Sequence, residues 1–125
     1  MPRLEETSLA DEERALVERY AEELGARLGE GLHAVWLFGS RARGEERSED
    51  SDVDMLVIVD DASWDRRMSI RGILEEVARE LHLEALPFSF SVHVHDPAWL
   101  EGRREIGSFF VAELDRDKVV LSGSA

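Results

Sequence analysis

Between residues 9 and 28 apolar side chains recur at three- and four-residue steps, at Leu9, Leu16, Val17, Tyr20, Ala21, Leu24 and Leu28, with Glu and Arg between them. That spacing predicts an amphipathic helix. Ser8 stands where an N-cap belongs, Asp11 and Glu12 suit the first turn, and Gly29 and Gly31 stop the helix. The period then shortens. Residues 33–38, HAVWLF, read as a short buried strand ending at Gly39, and a turn with a short helix follows from near Ser40. Residues 52–59 form a second strand whose run from Met55 to Val59 is too continuously apolar to face water on either side.

Helical spacing returns at Trp64, Met68, Ile70, Ile73, Leu74, Val77, Ala78 and Leu81, and the helix closes near Leu83. After Pro87, Phe88, Phe90, Val92 and Val94 alternate with Ser89, Ser91, His93 and His95, which predicts a third strand. Asp96 and Pro97 pair an N-cap with a first-turn proline and open a helical region to about Glu113, with Gly102 and Gly107 as its breaking points. Residues 118–121 add a short final strand. Helices alternating with strands predict an α/β (α+β) fold, a small mixed sheet with helices packed on it.

At 125 residues the chain is the size of one domain, 1–125, with room for one site rather than a catalytic and a separate substrate domain. Its 28 acidic against 15 basic residues give a net charge of -13, which disfavours a free nucleic-acid substrate, because phosphate backbones are held mainly by Lys and Arg. With no cysteine there is no disulfide, thiolate zinc site or cysteine nucleophile. No apolar run approaches a membrane span, and the first residues do not read as a signal peptide, so the expected location is the cytoplasm.

The chemistry concentrates in residues 39–59, GSRARGEERSEDSDVDMLVIV. Glycine lets backbone amides approach a phosphate, serine adds a hydroxyl, and the start of a helix adds its dipole. Arg41 and Arg43 can offset triphosphate charge. Asp52 and Asp54 are two apart on a strand and therefore share a face, where their oxygens suit a hard divalent ion.

Gly39, Ser40, Arg41, Ala42, Arg43, Gly44, Ser51, Asp52, Asp54 and Leu56 together resemble the signature of the DNA polymerase beta type nucleotidyltransferase superfamily, in its minimal nucleotidyltransferase branch. The resemblance covers about a sixth of the chain closely, and the order of the flanking elements agrees over most of the remainder. It implies a polymerase-beta-like fold and Mg2+-dependent transfer of a nucleoside monophosphate from an NTP, with ATP expected, to a hydroxyl acceptor; Mn2+ is an alternative ion. It further implies that Gly39 and Ser40 bind the phosphates, that Asp52 and Asp54 bind the metal as catalytic carboxylates, and that the partner is a small helical protein of the HEPN type. Many such pairs act as antitoxin and toxin. A protein partner or a homo-oligomer interface would complete a site that so short a chain has little surface to build alone.

Two departures stand out. Eleven residues separate Ser40 from Asp52, one more than the usual spacing, with the insertion assigned to residues 45–50 (EERSED). A single extra loop residue costs little closure entropy. Asp50 reads as a solvated turn residue. Active members also carry a third carboxylate on the strand after the long helix, and counting back from Asp96 its place falls on Ser91, with His93 as neighbour on the same face. Asp96 and Glu84 have the other parity. His93 is a candidate base because its unperturbed pKa lies near neutrality. A zinc site from His93 and His95 lacks further ligands and is rejected. Trp36, Trp64, Trp99, Phe109 and Phe110 could stack on a base but read first as core or interface. A rival to the enzyme is a catalytically idle, nucleotide-binding, antitoxin-like subunit that acts by binding the helical partner.

Overall fold

Two hydrophobic strands, β1 (Leu32–Phe38) and β2 (Val53–Val59), run antiparallel through the centre of a four-stranded sheet of order β3-β2-β1-β4. The computed structural model describes residues 4–44 and 52–123; Asp50, Ser51 and the loop insertion assigned to residues 45–50 lie outside the described residues. β3 (Phe90–His95) lies parallel to β2, and β4 (Val119–Gly123) lies antiparallel to β1. Around the sheet come α1 (Asp11–Leu28), α2 (Gly39–Ala42), α3 (Trp64–Glu80), α4 (Pro97–Glu105) and α5 (Phe109–Asp117). The predicted mixed sheet with helices packed on it is the observed architecture.

Strand alternation divides the interior into two layers. Val35, Leu37, Val53, Met55, Val57 and Val59 face one way, onto Leu16, Val17, Tyr20 and Leu24 of α1 and Ile70, Ile73, Leu74 and Val77 of α3. Ala34, Trp36, Phe38, Leu56 and Ile58 face the other way, onto Leu100 of α4 and Val111 and Leu114 of α5. Each fully buried large apolar side chain contributes about 1.5–3 kcal/mol relative to exposure. The first layer holds the larger cluster and joins both long helices to the sheet. Within it Tyr20 donates a 2.7 Å hydrogen bond to the Ile70 carbonyl, and burial pushes its phenol pKa upward.

Several boundaries differ from the sequence expectation. Ala10, not Ser8, is the N-cap of α1, and its backbone N–H donates to the Glu13 carboxylate. The alternating segment after Pro87 begins as a 3-10 turn, Leu86–Ser89, so the strand starts at Phe90 and Phe88 is 89 % exposed. Arg71 of α3 fixes that start by donating to the Phe90 carbonyl at 2.9 Å and the Pro87 carbonyl at 2.5 Å. Trp64 and Met68 begin α3 but lie exposed, because the buried stripe of that helix runs from Ile70 to Ala78. The helical region after Asp96 breaks at Gly107, with φ +68°, while Gly102 stays inside α4. Among the described residues no helix is long and apolar enough to cross a membrane.

Candidate functional site

The register sets Phe38 of β1 opposite Asp54 of β2, and Asp54 opposite Ser91 of β3. Directly paired residues share a face of the sheet, so Phe38, Asp54 and Ser91 form a row on the second layer, at the end where β1 gives way to α2. His93 lies on the same face one step inward, paired with Leu56. Its ring is 3.2 Å from the Ser91 hydroxyl and tilts against Phe38 with centroids 5.7 Å apart. Asp52 is exposed just ahead of β2. The position read from sequence as that of the third acid is therefore a direct neighbour of Asp54, and its side chain is a hydroxyl.

Gly39 makes room for this arrangement. Its φ is +81°, and a Cβ built on it would stand 2.5 Å from Oδ2 of Asp54. A side chain here would strain the backbone and collide with the carboxylate. Gly39→Ala is expected to cost about 1–3 kcal/mol and to displace Asp54; chemical unfolding checks the first effect, and loss of metal-dependent nucleotide binding the second. α2 is one turn long, so what it can offer a phosphate is the backbone N–H of its first residues rather than the summed dipole of a long helix.

Burial pushes the Asp54 carboxyl above the usual range; the nearby charge of His93 opposes the rise, and the like charge of Asp52 adds to it. A half-buried carboxyl with a second carboxylate beside it is a donor set that a hard cation compensates. Among the described residues there is no group of three or more His, Cys, Asp or Glu side chains able to hold a metal ion. What is present, two carboxylates at one strand start, fits a hard divalent ion that takes one or two protein ligands rather than a full protein cage.

The two arginines do not share a role. Arg41, expected from sequence to meet a triphosphate, is 2 % exposed and pairs with the equally hidden Glu13. It also donates to the Ser8 carbonyl at 3.0 Å and the Ser8 hydroxyl at 3.1 Å, while the Ser8 N–H donates to the Arg41 carbonyl at 2.9 Å. Its guanidinium is thus buried and committed between α2 and the start of α1. Sequence could not distinguish this arginine from a phosphate binder, because a basic loop after Gly-Ser suits either. Glu13 carries little signal in the sequence, its local sign being its place three residues after the cap. Arg43 is exposed, and its charge helps hold the Asp117 carboxyl below its usual range, after the larger effect of the Arg116 hydrogen bond.

Residues 26–92 match the sequence family described as Polymerase beta, Nucleotidyltransferase. No curated protein matches the chain significantly. Among solved structures, a toxin-antitoxin crystal structure with AMP-PNP aligns over 86 % of this chain and 73 % of its own, at 18 % identity and a TM-score of 0.52. A mutant of the MntA–HpeT toxin-antitoxin pair aligns over the same shares, at 18 % identity and a TM-score of 0.50. Those two likenesses establish a shared fold. The match over residues 26–92 spans β1, α2, β2, α3 and the start of β3, and so contains every residue of the Phe38, Asp54 and Ser91 row.

Proposed function

This chain belongs to the polymerase beta nucleotidyltransferase family, and from that membership we propose that it is a minimal nucleotidyltransferase moving a nucleoside monophosphate from an NTP, ATP in the first instance, to a hydroxyl on a protein partner. The observation that carries the reading is the Asp54 carboxylate held over Gly39, with Asp52 beside it. Gly39, Ser40 and the amides of α2 bind the phosphates, and exposed Arg43 supplies basic charge. Asp52 and Asp54 hold Mg2+, or Mn2+ in its place, which when bound supplies the positive charge that aligns the phosphates and stabilises the leaving pyrophosphate.

The acceptor oxygen bonds to the α-phosphorus, the bond from that phosphorus to the bridging oxygen breaks, pyrophosphate departs, and the hydroxyl proton passes to His93 or to water. His93 is exposed and touches Ser91, which gives the proton a route outward along β3. AMP-PNP in a structural neighbour supports ATP as the donor, and the toxin-antitoxin complexes among the neighbours support a small helical HEPN-type partner.

One observation favours a second reading. Ser91, not an acid, stands beside Asp54, as suits a catalytically idle subunit that binds nucleotide and silences its partner by contact. Incubation with ATP labelled at the α-phosphate, with and without the helical partner, separates the two. Label on the acceptor that EDTA abolishes supports the enzyme. Metal-dependent binding with no transfer supports the idle subunit, and absence of metal-dependent nucleotide binding removes both.

A further inference from the structure

The sheet order separates the two sides of Asp54. Ser91 and His93 of β3 lie on one side, and Phe38, Gly39 and α2 lie on the other, with α5 packed against α2. The α5 side carries an unexplained apolar surface. Phe110 is 44 % exposed, and its ring meets that of Phe38 nearly at right angles, 85°, with centroids 5.7 Å apart. Phe38 is 9 % exposed, so the open area of this pair belongs to Phe110. The contact continues from Phe38 to His93. An aromatic ledge thus starts at Phe38, one residue before the proposed phosphate seat at Gly39, and ends in the open ring of Phe110 on α5.

We propose that Phe110, braced by Phe38, is the surface on which the nucleobase of the NTP stacks. The inference rests on the nucleotidyltransferase reading, because that reading sets the triphosphate on Gly39 and Ser40. If His93 takes the acceptor's proton, the acceptor lies on the Ser91 and His93 side, and the α5 side is left to the nucleoside. The ring contact that braces Phe110 comes from the hydrocarbon ring of Phe38 rather than from a polar side chain aligned to read a base edge. Stacking of this kind accepts every base and favours the larger ring system. The substrate class is a purine nucleoside triphosphate, with ATP and GTP bound about equally and CTP and UTP bound more weakly.

Titration calorimetry with Mg2+ and ATP, GTP, CTP or inorganic triphosphate tests this on wild type, Phe110→Ala and Phe110→Trp, after thermal unfolding has shown that both variants fold. Phe110→Ala is expected to weaken ATP and GTP roughly tenfold and to leave inorganic triphosphate unchanged, while Phe110→Trp keeps wild-type affinity. Equal loss for ATP and triphosphate, or no loss for ATP, overturns the stacking role. A wild type that holds triphosphate as tightly as ATP overturns it too, with the phosphate site left standing. A wild type that binds neither ligand removes the nucleotidyltransferase reading along with the inference.

Discussion

Asp54→Asn is expected to lower Mg2+-dependent label transfer by roughly 1000-fold or more while leaving the fold intact and, without metal, slightly more stable. The loss follows from the position of this side chain in the proposed site: it is the half-buried carboxylate there, and exposed Asp52 alone would leave the ion a single charged ligand. Several kcal/mol of charge stabilisation at the transition state corresponds to about three orders of magnitude in rate. The gain in stability follows from the raised pKa. A carboxyl whose folded pKa lies above its ordinary 3.8 favours folding most when protonated, and that contribution is lost as pH rises through the raised value. Near neutrality the ionised Asp54 therefore opposes folding, whereas asparagine carries no such penalty. Thermal unfolding in EDTA should show a higher Tm for Asp54→Asn at pH 7, with the difference shrinking as pH falls toward 3.8 and below. Added Mg2+ and ATP should reverse the order by raising the Tm of the wild type alone.

The second large effect falls outside the row at Asp54. Glu13→Ala leaves the Arg41 guanidinium buried without its carboxylate, and loss of one partner from a buried pair costs about 3–5 kcal/mol. For a chain of this size the Tm should drop by roughly 10 °C or more. Glu13→Leu combined with Arg41→Met removes both charges and should recover most of that loss, because a buried ion pair exchanged for apolar groups of similar volume is often neutral. The double variant still lacks the hydrogen bonds from Arg41 to Ser8 that tie α2 to α1. Its affinity for inorganic triphosphate should therefore stay below wild type although its stability returns, and calorimetry on the folded protein reads that difference. Equal recovery of both would show that the pair stabilises the fold without positioning the turn.

The strands were legible because their chemistry is local. The alternation through β1 and β2 and the glycine after Phe38 each follow from a neighbour two or fewer residues away, and residues 33–38 and 52–59 were each placed to within one residue. Ser91 was legible too: counting back from the Asp96 cap names the residue that the β2 and β3 register sets beside Asp54. The errors share one physical origin. Ser8, Arg41 and Phe88 each look like the standard occupant of a local role, a cap, a phosphate binder and an alternating strand residue. Partners distant in sequence overrule that role for the first two, as with Ser8 and Arg41, 33 residues apart. Phe88 loses its strand role because the chain turns before pairing begins. Nothing in a linear pattern tells a buried arginine from an exposed one when both follow Gly-Ser.

The two-layer interior sets a limit on how sequences of this kind can vary. From Val53 onward odd positions hold the α1 and α3 layer and even positions the layer of Asp54. One residue gained or lost inside β2 would exchange the two sets, driving the carboxylate into the foundation and turning valines out over the Gly39 turn. A length change inside β2 therefore costs the site as well as the core. The reading frame of chemistry in this protein is the phase of a single strand.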